Sequence, residues 1–417
     1  MAGTLQTLIF RPSPTDILSS RRRNLFFPAC HVQLSGHSVN FNHNSSVLRK
    51  SHSIVGPIRA SEQSDQVSGS AAASNWAKPL LKFASDNFLP LALVGGVALG
   101  LANPSLGCLA DRYYLSKFST FGIFIISGLT LRSEEIGAAA EAWPVGIFGL
   151  GSILLFTPFF SKLILQLKLQ PQEFVTGLAI FSCMPTTLSS GVALTRLAGG
   201  NSALALAMTV ISNLLGILII PFSISKFIAV GVGVSVPTEQ LLRSLVLTLL
   251  VPLILGKVFR ESFKGLADFA DQNHKLLSVM SAVFLGMVPW IQVSRSRSLL
   301  LMVKPAVFLV AVGMGALLHL MLLAFNALAI QSLSAVSGGR NSVFAKKQNA
   351  SALLLVASQK TLPVMVAVVD QLGGAFGESG LLVLPCVAAH LNQIIMDSFF
   401  VSFWLPKEHS FDNAKAA

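Results

Sequence analysis

From Phe88 onward, long apolar runs alternate with short polar gaps that contain Pro or Gly. The period-two alternation typical of half-buried strands is absent, and a bilayer admits only helices or closed barrels. A helix needs roughly 20 apolar residues to cross the hydrocarbon core. The pattern therefore predicts an all-α polytopic membrane protein with about ten transmembrane helices. The predicted spans are 88–103, 117–131, 143–165, 173–198, 202–227, 240–259, 276–293, 299–326, 348–370 and 380–404.

Composition supports this prediction and narrows the function. The chain of 417 residues is 53% hydrophobic and 12% charged, whereas a soluble domain carries roughly 25% charged residues. A soluble enzyme and a disordered protein are therefore excluded. The net charge of +12 divides into +6 on residues 1–60 and +6 spread over the remainder, so no nucleic-acid partner is expected. The expected surroundings are a lipid bilayer.

Residues 1–60 are basic, rich in Ser and almost free of acids, since Asp16 is their only carboxylate. This composition is typical of an organelle transit peptide. The first ten residues carry no charged side chain, and a small-residue junction at Ala60-Ser61 resembles a processing site. The segment is interpreted as a plastid transit peptide, which predicts a multi-pass protein of the chloroplast envelope membrane. A mitochondrial leader, and hence the mitochondrial inner membrane, is one alternative, and a basic cytosolic tail is another.

The remaining chain divides into a linker, two halves and a tail. Residues 61–86 read as a linker and residues 405–417 as a C-terminal tail. Five predicted spans lie in residues 87–233 and five in residues 234–404. An odd number of spans per half forces the halves into opposite orientations, as in inverted-repeat transporters.

The fourth predicted span of each half is interrupted by Pro and polar residues. The interruptions lie at Pro185 and Pro363, and the pairs Thr187-Leu188 and Thr361-Leu362 stand 174 positions apart. A broken membrane helix leaves backbone groups unpaired, which is tolerable only beside a cavity, ion or substrate. Its half-helix N-terminus favours an anion. Two ordinary Pro kinks in packed helices are the alternative.

Lys360 lies inside the second interruption, where a charge costs at least ~2.5–3.5 kcal/mol. Three roles are open for it. The ammonium could bind an anionic substrate directly, it could neutralise the carbonyls of the broken helices, or it could lie near the interface and snorkel.

The flanking spans carry polar residues at helical spacing. Such a face either lines a pathway or bonds a neighbouring helix, and His390, Gln393 and Asp397 form one of these stripes. A lone His319 is interpreted as a hydrogen-bonded structural residue. The candidate substrate- and ion-binding residues are Thr186, Thr187, Ser189, Ser190, Thr209, Ser212, Asn213, Gln359, Lys360, Thr361, His390 and Gln393.

Three segments resemble the bile acid:sodium symporter (BASS) family, whose plant members include chloroplast envelope proteins, and in particular its divergent SBF-like branch. They are Gly200 to Thr209, Ser358 to Leu362, and His390 to Gln393. The resemblance implies ten helices in two inverted five-helix repeats, with the fourth and ninth helices broken and crossing at substrate and sodium sites. It also implies secondary transport of an organic anion by a sodium/metabolite cotransporter.

The family's sodium ligands carry over only in part. Thr209 and Gln359 match them, but Gly191, Leu355 and Lys360 stand where the family has Asn, Glu and Asn. A transient sodium ion is therefore expected only near Ser190, Thr209 and Gln359, and no resident metal or cofactor is expected. The alternative hypothesis is that Lys360 replaces the coupling cation, which makes the carrier proton-coupled, an exchanger or a uniporter.

Other classes of function are weighed against transport. The chain has no G-x-S-x-G, H-E-x-x-H or P-loop motif, so no enzyme is predicted. A membrane sensor or scaffold that does not transport is the serious rival, because sodium ligands are missing. The sequence assigns no substrate identity and no oligomeric state.

Overall fold

A computed structural model describes residues 88–132 and 141–404, and these residues form helices without strands. The predicted transit peptide, the whole linker and the C-terminal tail lie outside the described residues. The helices are α1 Phe88–Ala102, α2 Pro104–Arg112, α3 Leu115–Thr130, α4 Trp143–Leu165, α5 Gln172–Ser182, α6 Ser190–Leu197, α7 Ser202–Val232, α8 Thr238–Ser262, α9 Lys264–Gln272, α10 His274–Met302, α11 Pro305–Val336, α12 Lys347–Ser358, α13 Leu362–Leu372 and α14 Ser379–Trp404.

Every predicted span overlaps a helix or a pair of half-helices, although not all of the bounds agree. Among the described helices, seven are long and apolar enough to cross a membrane, counting α12 and α13 together as one of them. The bent pair α1 and α2, at 103°, makes an eighth candidate. The helix α3 has 16 residues, and the predicted fourth span is the interrupted pair α5 and α6. The all-helical polytopic fold is therefore confirmed.

The predicted boundary between the seventh and eighth spans was wrong. The helix α10 continues through two arginines to Met302, although the sequence pattern ended the span at residue 293. Both arginines find partners outside the apolar core: Arg297 Nε donates to Leu101 O at 2.6 Å, and Arg295 pairs with Asp111 at 3.5 Å. The two arginines therefore do not end this helix, because both find polar partners beside it.

Two close helix crossings at glycine residues, α1 with α10 and α3 with α8, each join a helix of the first predicted half to a helix of the second. A Cβ atom on Gly96 of α1 would lie 2.4 Å from the carbonyl oxygen of Gly286 in α10. In the matching crossing of α3 and α8, Gly128 contacts Gly256, where a Cβ would lie 2.3 Å from Ile125 O. Small residues let helix backbones approach closely in membranes. Each crossing pairs the first helix of one predicted half with the second helix of the other.

The interrupted helix of the second half occupies the centre of the bundle. In Lys347–Leu372 the most apolar window is 94% buried inside the protein, against 33% for Pro305–Val336. Because a buried window does not face lipid, its polar break must be satisfied by the protein. Gly233, at a φ of +74°, ends α7 at the predicted junction between the halves, and the division into residues 87–233 and 234–404 stays a prediction.

Charged residues at the ends of α3 and α8 converge on one carboxylate. Asp271 of α9 accepts hydrogen bonds from Arg260 at 2.8 Å and from Arg132 at 2.9 Å. The hydrogen bond from Arg260 is the main cause that lowers the pKa of Asp271 below its ordinary value. The loop helix α9 is thereby tied to the glycine-crossed pair.

The glycine crossings generate a stability prediction. Gly256→Ala should lower the melting temperature of the purified protein, because the added methyl group collides with backbone; overpacking costs about 1–3 kcal/mol. Gly95→Ala on α1 is the matched control, since nothing lies within 4 Å of its Cβ position. There the change should be neutral or stabilising, because Ala is the better helix former. Equal melting temperatures for the two variants would contradict this packing.

Candidate functional site

The two helix breaks cross and bond each other. Thr361 N–H donates to Pro185 O at 2.9 Å, and Thr186 Oγ1 donates to Val356 O. Residues 183–189 and 359–361 are non-helical, so these are interruptions and not Pro kinks. Each break thus satisfies backbone groups that the other leaves unpaired.

Lys360 is buried, with 1% of its surface exposed, so its side chain does not snorkel to the interface. Its Nζ atom donates to Thr157 Oγ1 at 2.5 Å, to Met184 O at 2.8 Å and to Ile153 O at 3.2 Å. An ammonium has three donors, and all three are used. Met184 follows the C-terminal end of α5, where the helix dipole is negative. These contacts match the role of a fixed cation that neutralises broken-helix carbonyls.

The local structure of α4 explains why Ile153 O accepts from a lysine. A π-helical turn at Ser152–Phe156 directs the N–H of Thr157 to Ser152 O, so this N–H does not bond Ile153 O. The next residue, Pro158, has no N–H to offer. The Ile153 carbonyl therefore lacks a backbone donor, and Thr157 Oγ1, at 2.6 Å, and Lys360 take that place.

Gln359 connects the first break to a buried acid. Its Oε1 atom accepts from Thr187 Oγ1 at 2.6 Å and from Ser190 Oγ at 2.9 Å, while its Nε2 atom donates to Asp397 Oδ2 at 2.6 Å. The other Asp397 oxygen lies 2.8 Å from His319 Nε2. Both lone pairs of the Gln359 carbonyl are therefore engaged, and none is left for a sodium ion in this arrangement. His319 is hydrogen-bonded, as expected.

Gln393 supports the backbone of the second break. Lys360 N–H donates to Gln393 Oε1 at 2.9 Å, and Gln393 Nε2 donates to Lys360 O at 2.6 Å. One amide thus pairs both backbone groups of a non-helical residue in the middle of the bundle. His390 Nδ1 lies 3.2 Å from the same carbonyl. The polar stripe of α14 therefore bonds a neighbouring element more than it lines a pathway.

Three oxygen atoms near the breaks have no partner. Asn213 Nδ2 donates to Thr186 O and Thr209 O, but its Oδ1 atom is buried without a hydrogen bond. The Oγ1 atoms of Thr209 and Thr361 are also buried without a hydrogen-bond partner. A buried polar group without a partner costs about 1–3 kcal/mol. Because all three residues line one cavity, a ligand or ordered water there would satisfy them.

That cavity has a volume of about 210 Å³ and lies between the breaks and the glycine-crossed helices. Its walls include Ser189 and Thr361, the N-cap residues of α6 and α13. Neither N-cap side chain bonds its own helix, although Thr187 Oγ1 accepts from Gly191 N–H in the first turn of α6 at 3.1 Å. The N–H groups in the first turn of each half-helix have no partner within the helix itself. No Asp or Glu is among the lining residues that the structure describes. The electrostatics therefore favour a negatively charged ligand.

Comparison with known proteins decides the family. The model of the SBF-like CPA transporter family matches residues 86–405. The chain belongs to this family. An Arabidopsis thaliana protein named probable sodium/metabolite cotransporter BASS4, chloroplastic, is 70% identical over 339 residues, covering 81% of this chain and 77% of the relative. A protein of the same name from Oryza sativa subsp. indica is 65% identical over 345 residues, covering 83% and 82%. Rattus norvegicus sodium/bile acid cotransporter 7 is 27% identical over 314 residues, covering 73% and 89%.

These relatives confirm the predicted resemblance and the transporter class. The plant relatives are named chloroplastic, and seven of the described helices are long and apolar enough to cross a membrane, which confirms the prediction of a multi-pass chloroplast membrane protein. Homology to transporters also agrees with the prediction that the chain is not an enzyme.

The predicted site residues fall into two groups. Seven line the cavity, and five support the breaks from behind it. The cavity group is Thr187, Ser189, Ser190, Thr209, Asn213, Thr361 and His390. The supporting group is Thr186, Ser212, Gln359, Lys360 and Gln393, of which Ser212 Oγ donates to Thr209 O at 3.1 Å.

Sequence reasoning missed a third group on the opposite wall. Ser127 and Thr130 of α3 and His274, Ser278 and Ser281 of α10 also line the cavity. Their spacing of three or four residues places each set on one helix face, which is the signal that could have found them. In the described residues, no group of three His, Cys, Asp or Glu side chains is arranged to hold a metal ion.

Lys360→Met should destabilise the protein, because Met184 O then loses its donor in a region without water. The expected loss is about 1–3 kcal/mol for one unpaired buried acceptor. The measurement is thermal unfolding in detergent. Lys162→Met is the control, since Lys162 is exposed. Equal melting temperatures for the two variants would show that the ammonium of Lys360 does not stabilise the helix break.

Proposed function

We propose that this transporter carries a small organic anion across the chloroplast envelope by alternating access. The observation that carries the proposal is the cavity in which two half-helix N-termini, neither capped by its own N-cap side chain, meet three side-chain oxygens without a partner. A scaffold has no use for such a polar opening beside the centre of a membrane bundle. The plant relatives, named as metabolite cotransporters, support a metabolite as the substrate.

The size of the cavity restricts the substrate. Its volume of about 210 Å³ is below the roughly 300–1,000 Å³ of sites that hold drug-sized ligands. This favours a small carboxylate over a sterol conjugate. The carboxylate would accept hydrogen bonds from the N-termini of α6 and α13. A substrate hydroxyl would donate to Asn213 Oδ1, and Thr209 Oγ1 would donate to a hydroxyl or keto oxygen of the substrate.

The two ends of the cavity differ, which supports alternating access. Toward one membrane face the lining continues to Leu131 and His274, at the ends of α3 and α10. Toward the other face, α13 is hydrogen-bonded to α3 and α10. Asp370 of α13 accepts from Ser116 Oγ at 2.8 Å and from Gln292 Nε2. Substrate release to that face requires these contacts to separate.

We further propose that this carrier does not require sodium. The relatives' names mention sodium, but here the Gln359 oxygen is saturated, and Leu355, where the family has Glu, is buried and apolar. Lys360 places a fixed positive charge at the crossing, and an ammonium repels a cation at short range. Proton coupling, exchange and uniport all remain compatible with a fixed charge of this kind.

The transport proposal is tested by counterflow in reconstituted vesicles preloaded with unlabelled small carboxylates. Wild-type protein should accumulate labelled substrate, and Thr209→Val should reduce the rate about two- to tenfold, because a hydrogen bond to a neutral hydroxyl or keto group contributes roughly 0.5–1.5 kcal/mol. Thr238→Val, half-buried and away from the cavity, is the control. Absence of counterflow for every carboxylate would favour the sensor or scaffold.

The coupling proposal is tested by replacing sodium. Uptake in potassium or choline medium should match uptake in sodium medium to within about twofold, while Lys360→Gln should lower flux at least tenfold, a barrier of about 1.4 kcal/mol. Lys162→Gln removes an exposed charge as the control, and melting curves check that both variants fold. An absolute sodium requirement in the wild type would overturn the proposal, whichever substrate is carried.

A further inference from the structure

A second cavity, of about 330 Å³, lies on the outer side of the bundle between α11, α12 and α14. Its lining is apolar and includes Leu320, Leu323, Leu355 and Phe400. It shares no lining residue with the transport cavity. We call this second cavity the outer groove.

The outer groove faces the lipid. Leu320 is 42% exposed and Phe400 is 46% exposed, and both belong to membrane-spanning helices. In a bilayer, exposed apolar side chains of such helices contact hydrocarbon chains. The occupant available at this position is therefore a membrane lipid.

One lining residue does not suit a purely apolar occupant. Ser351 is 2% exposed, and its Oγ atom has no hydrogen-bond partner. A hydroxyl has one donor and two acceptor positions, and leaving them unpaired costs about 1–3 kcal/mol. The natural complement is an oxygen atom carried into the groove by the occupant.

The depth of Ser351 indicates which oxygen this is. Ser351 precedes Gln359 at the break by two turns of α12, which is about 12 Å at 1.5 Å per residue. Half of the hydrocarbon core is roughly 15 Å thick. With the break near the midplane, Ser351 lies at the level where glycerolipid esters begin, and Leu355 lies among the acyl chains.

A cationic residue stands one turn further out on the same face. Lys347, Ser351 and Leu355 are spaced i, i+4 and i+8, so they form one stripe along α12. Lys347 is exposed, whereas the other two are buried. From the membrane surface inward the stripe offers a positive charge, a hydroxyl and an apolar wall. An anionic glycerolipid presents a phosphate, an ester and an acyl chain in the same order.

We propose that the outer groove binds one anionic glycerolipid of the surrounding bilayer. An acyl chain packs against the leucines of α11 and α12, an ester carbonyl accepts a hydrogen bond from Ser351 Oγ, and the headgroup phosphate meets Lys347. The lipid would brace α12, the half-helix that leads into the break at Gln359. This binding site does not depend on which substrate the transport cavity accepts.

The test measures lipid binding to the purified, delipidated full chain by native mass spectrometry and by melting temperature. Phosphatidylglycerol is the probe, and phosphatidylcholine with the same acyl chains is its neutral counterpart. Wild-type protein should bind one phosphatidylglycerol about tenfold more tightly than phosphatidylcholine and should melt several degrees higher with it. Equal affinity and equal stabilisation by the two lipids would overturn the proposal.

Two variants separate the headgroup from the ester contact. Lys347→Gln should remove the preference for phosphatidylglycerol, with Lys264→Gln, an exposed residue of α9, as control. Ser351→Ala should lower the affinity for both lipids about three- to tenfold. Without lipid, this variant should melt no lower than wild type, because the change removes an unpaired hydroxyl. Ser398→Ala on α14, whose hydroxyl donates to Ile394 O, is the matched control.

Two further results would contradict the proposal. Unchanged lipid affinity in the double variant of Ser351→Ala and Lys347→Gln would place the lipid elsewhere. A dimer that persists after delipidation and is lost in Ala327→Trp, a groove-filling change, would assign the outer groove to a second copy of the chain. Because no readout involves transport, failure here is distinguishable from failure of the carrier proposal.

Discussion

The interior of a bilayer offers no water to backbone N–H and C=O groups, and two interrupted helices in this protein must satisfy theirs from within. The crossing does most of this: Thr361 N–H pairs with Pro185 O, and Gln393 pairs both backbone groups of Lys360. The ammonium of Lys360 then takes the carbonyls that no N–H reaches. Three side-chain oxygens near the breaks stay unpaired and line the cavity, and the proposed carrier would use them to bind its substrate.

The same requirement explains why a lysine is tolerated at this depth. A lone charge in hydrocarbon is expensive, but this one uses all three donors on oxygens that also lack partners. Pro158 contributes indirectly, since its missing N–H leaves the Ile153 carbonyl free for the ammonium. Lys360, which is unexpected in an apolar span, therefore stabilises the π-helical turn of α4 by pairing the carbonyl that this turn leaves without a backbone donor. In the proposed carrier it would also supply a fixed positive charge beside the crossing, in place of an ion that binds and leaves.

Much of the fold was predictable from the sequence, because apolar runs and paired Pro breaks report how each segment meets lipid. The hydrogen-bond partners of the polar side chains were less predictable. Helical spacing predicted that His390 and Gln393 lie on one stripe. It did not predict whether that stripe faces a pathway or a neighbouring backbone, because this depends on contacts between segments 33 residues apart. The direction of the Lys360 side chain, and the polar face of α10 opposite the breaks, depend on the same long-range packing. Which atoms touch the cavity could therefore not be read from spacing alone.

The contacts that hold the glycine-crossed helices differ in kind from those that hold α13, and this difference indicates where motion occurs. At Gly96 and Gly256 backbone lies against backbone, so sliding would lose close packing along the whole crossing. At the closed end, Ser116 and Gln292 bond Asp370, and Ser296 Oγ accepts from Gly380 N–H at 3.1 Å. Each such bond contributes only about 0.5–1.5 kcal/mol net, rather more to a charged carboxylate, and water can replace it once the end opens. The glycine-crossed helices should therefore move as one rigid body, with the polar contacts at Asp370 separating first.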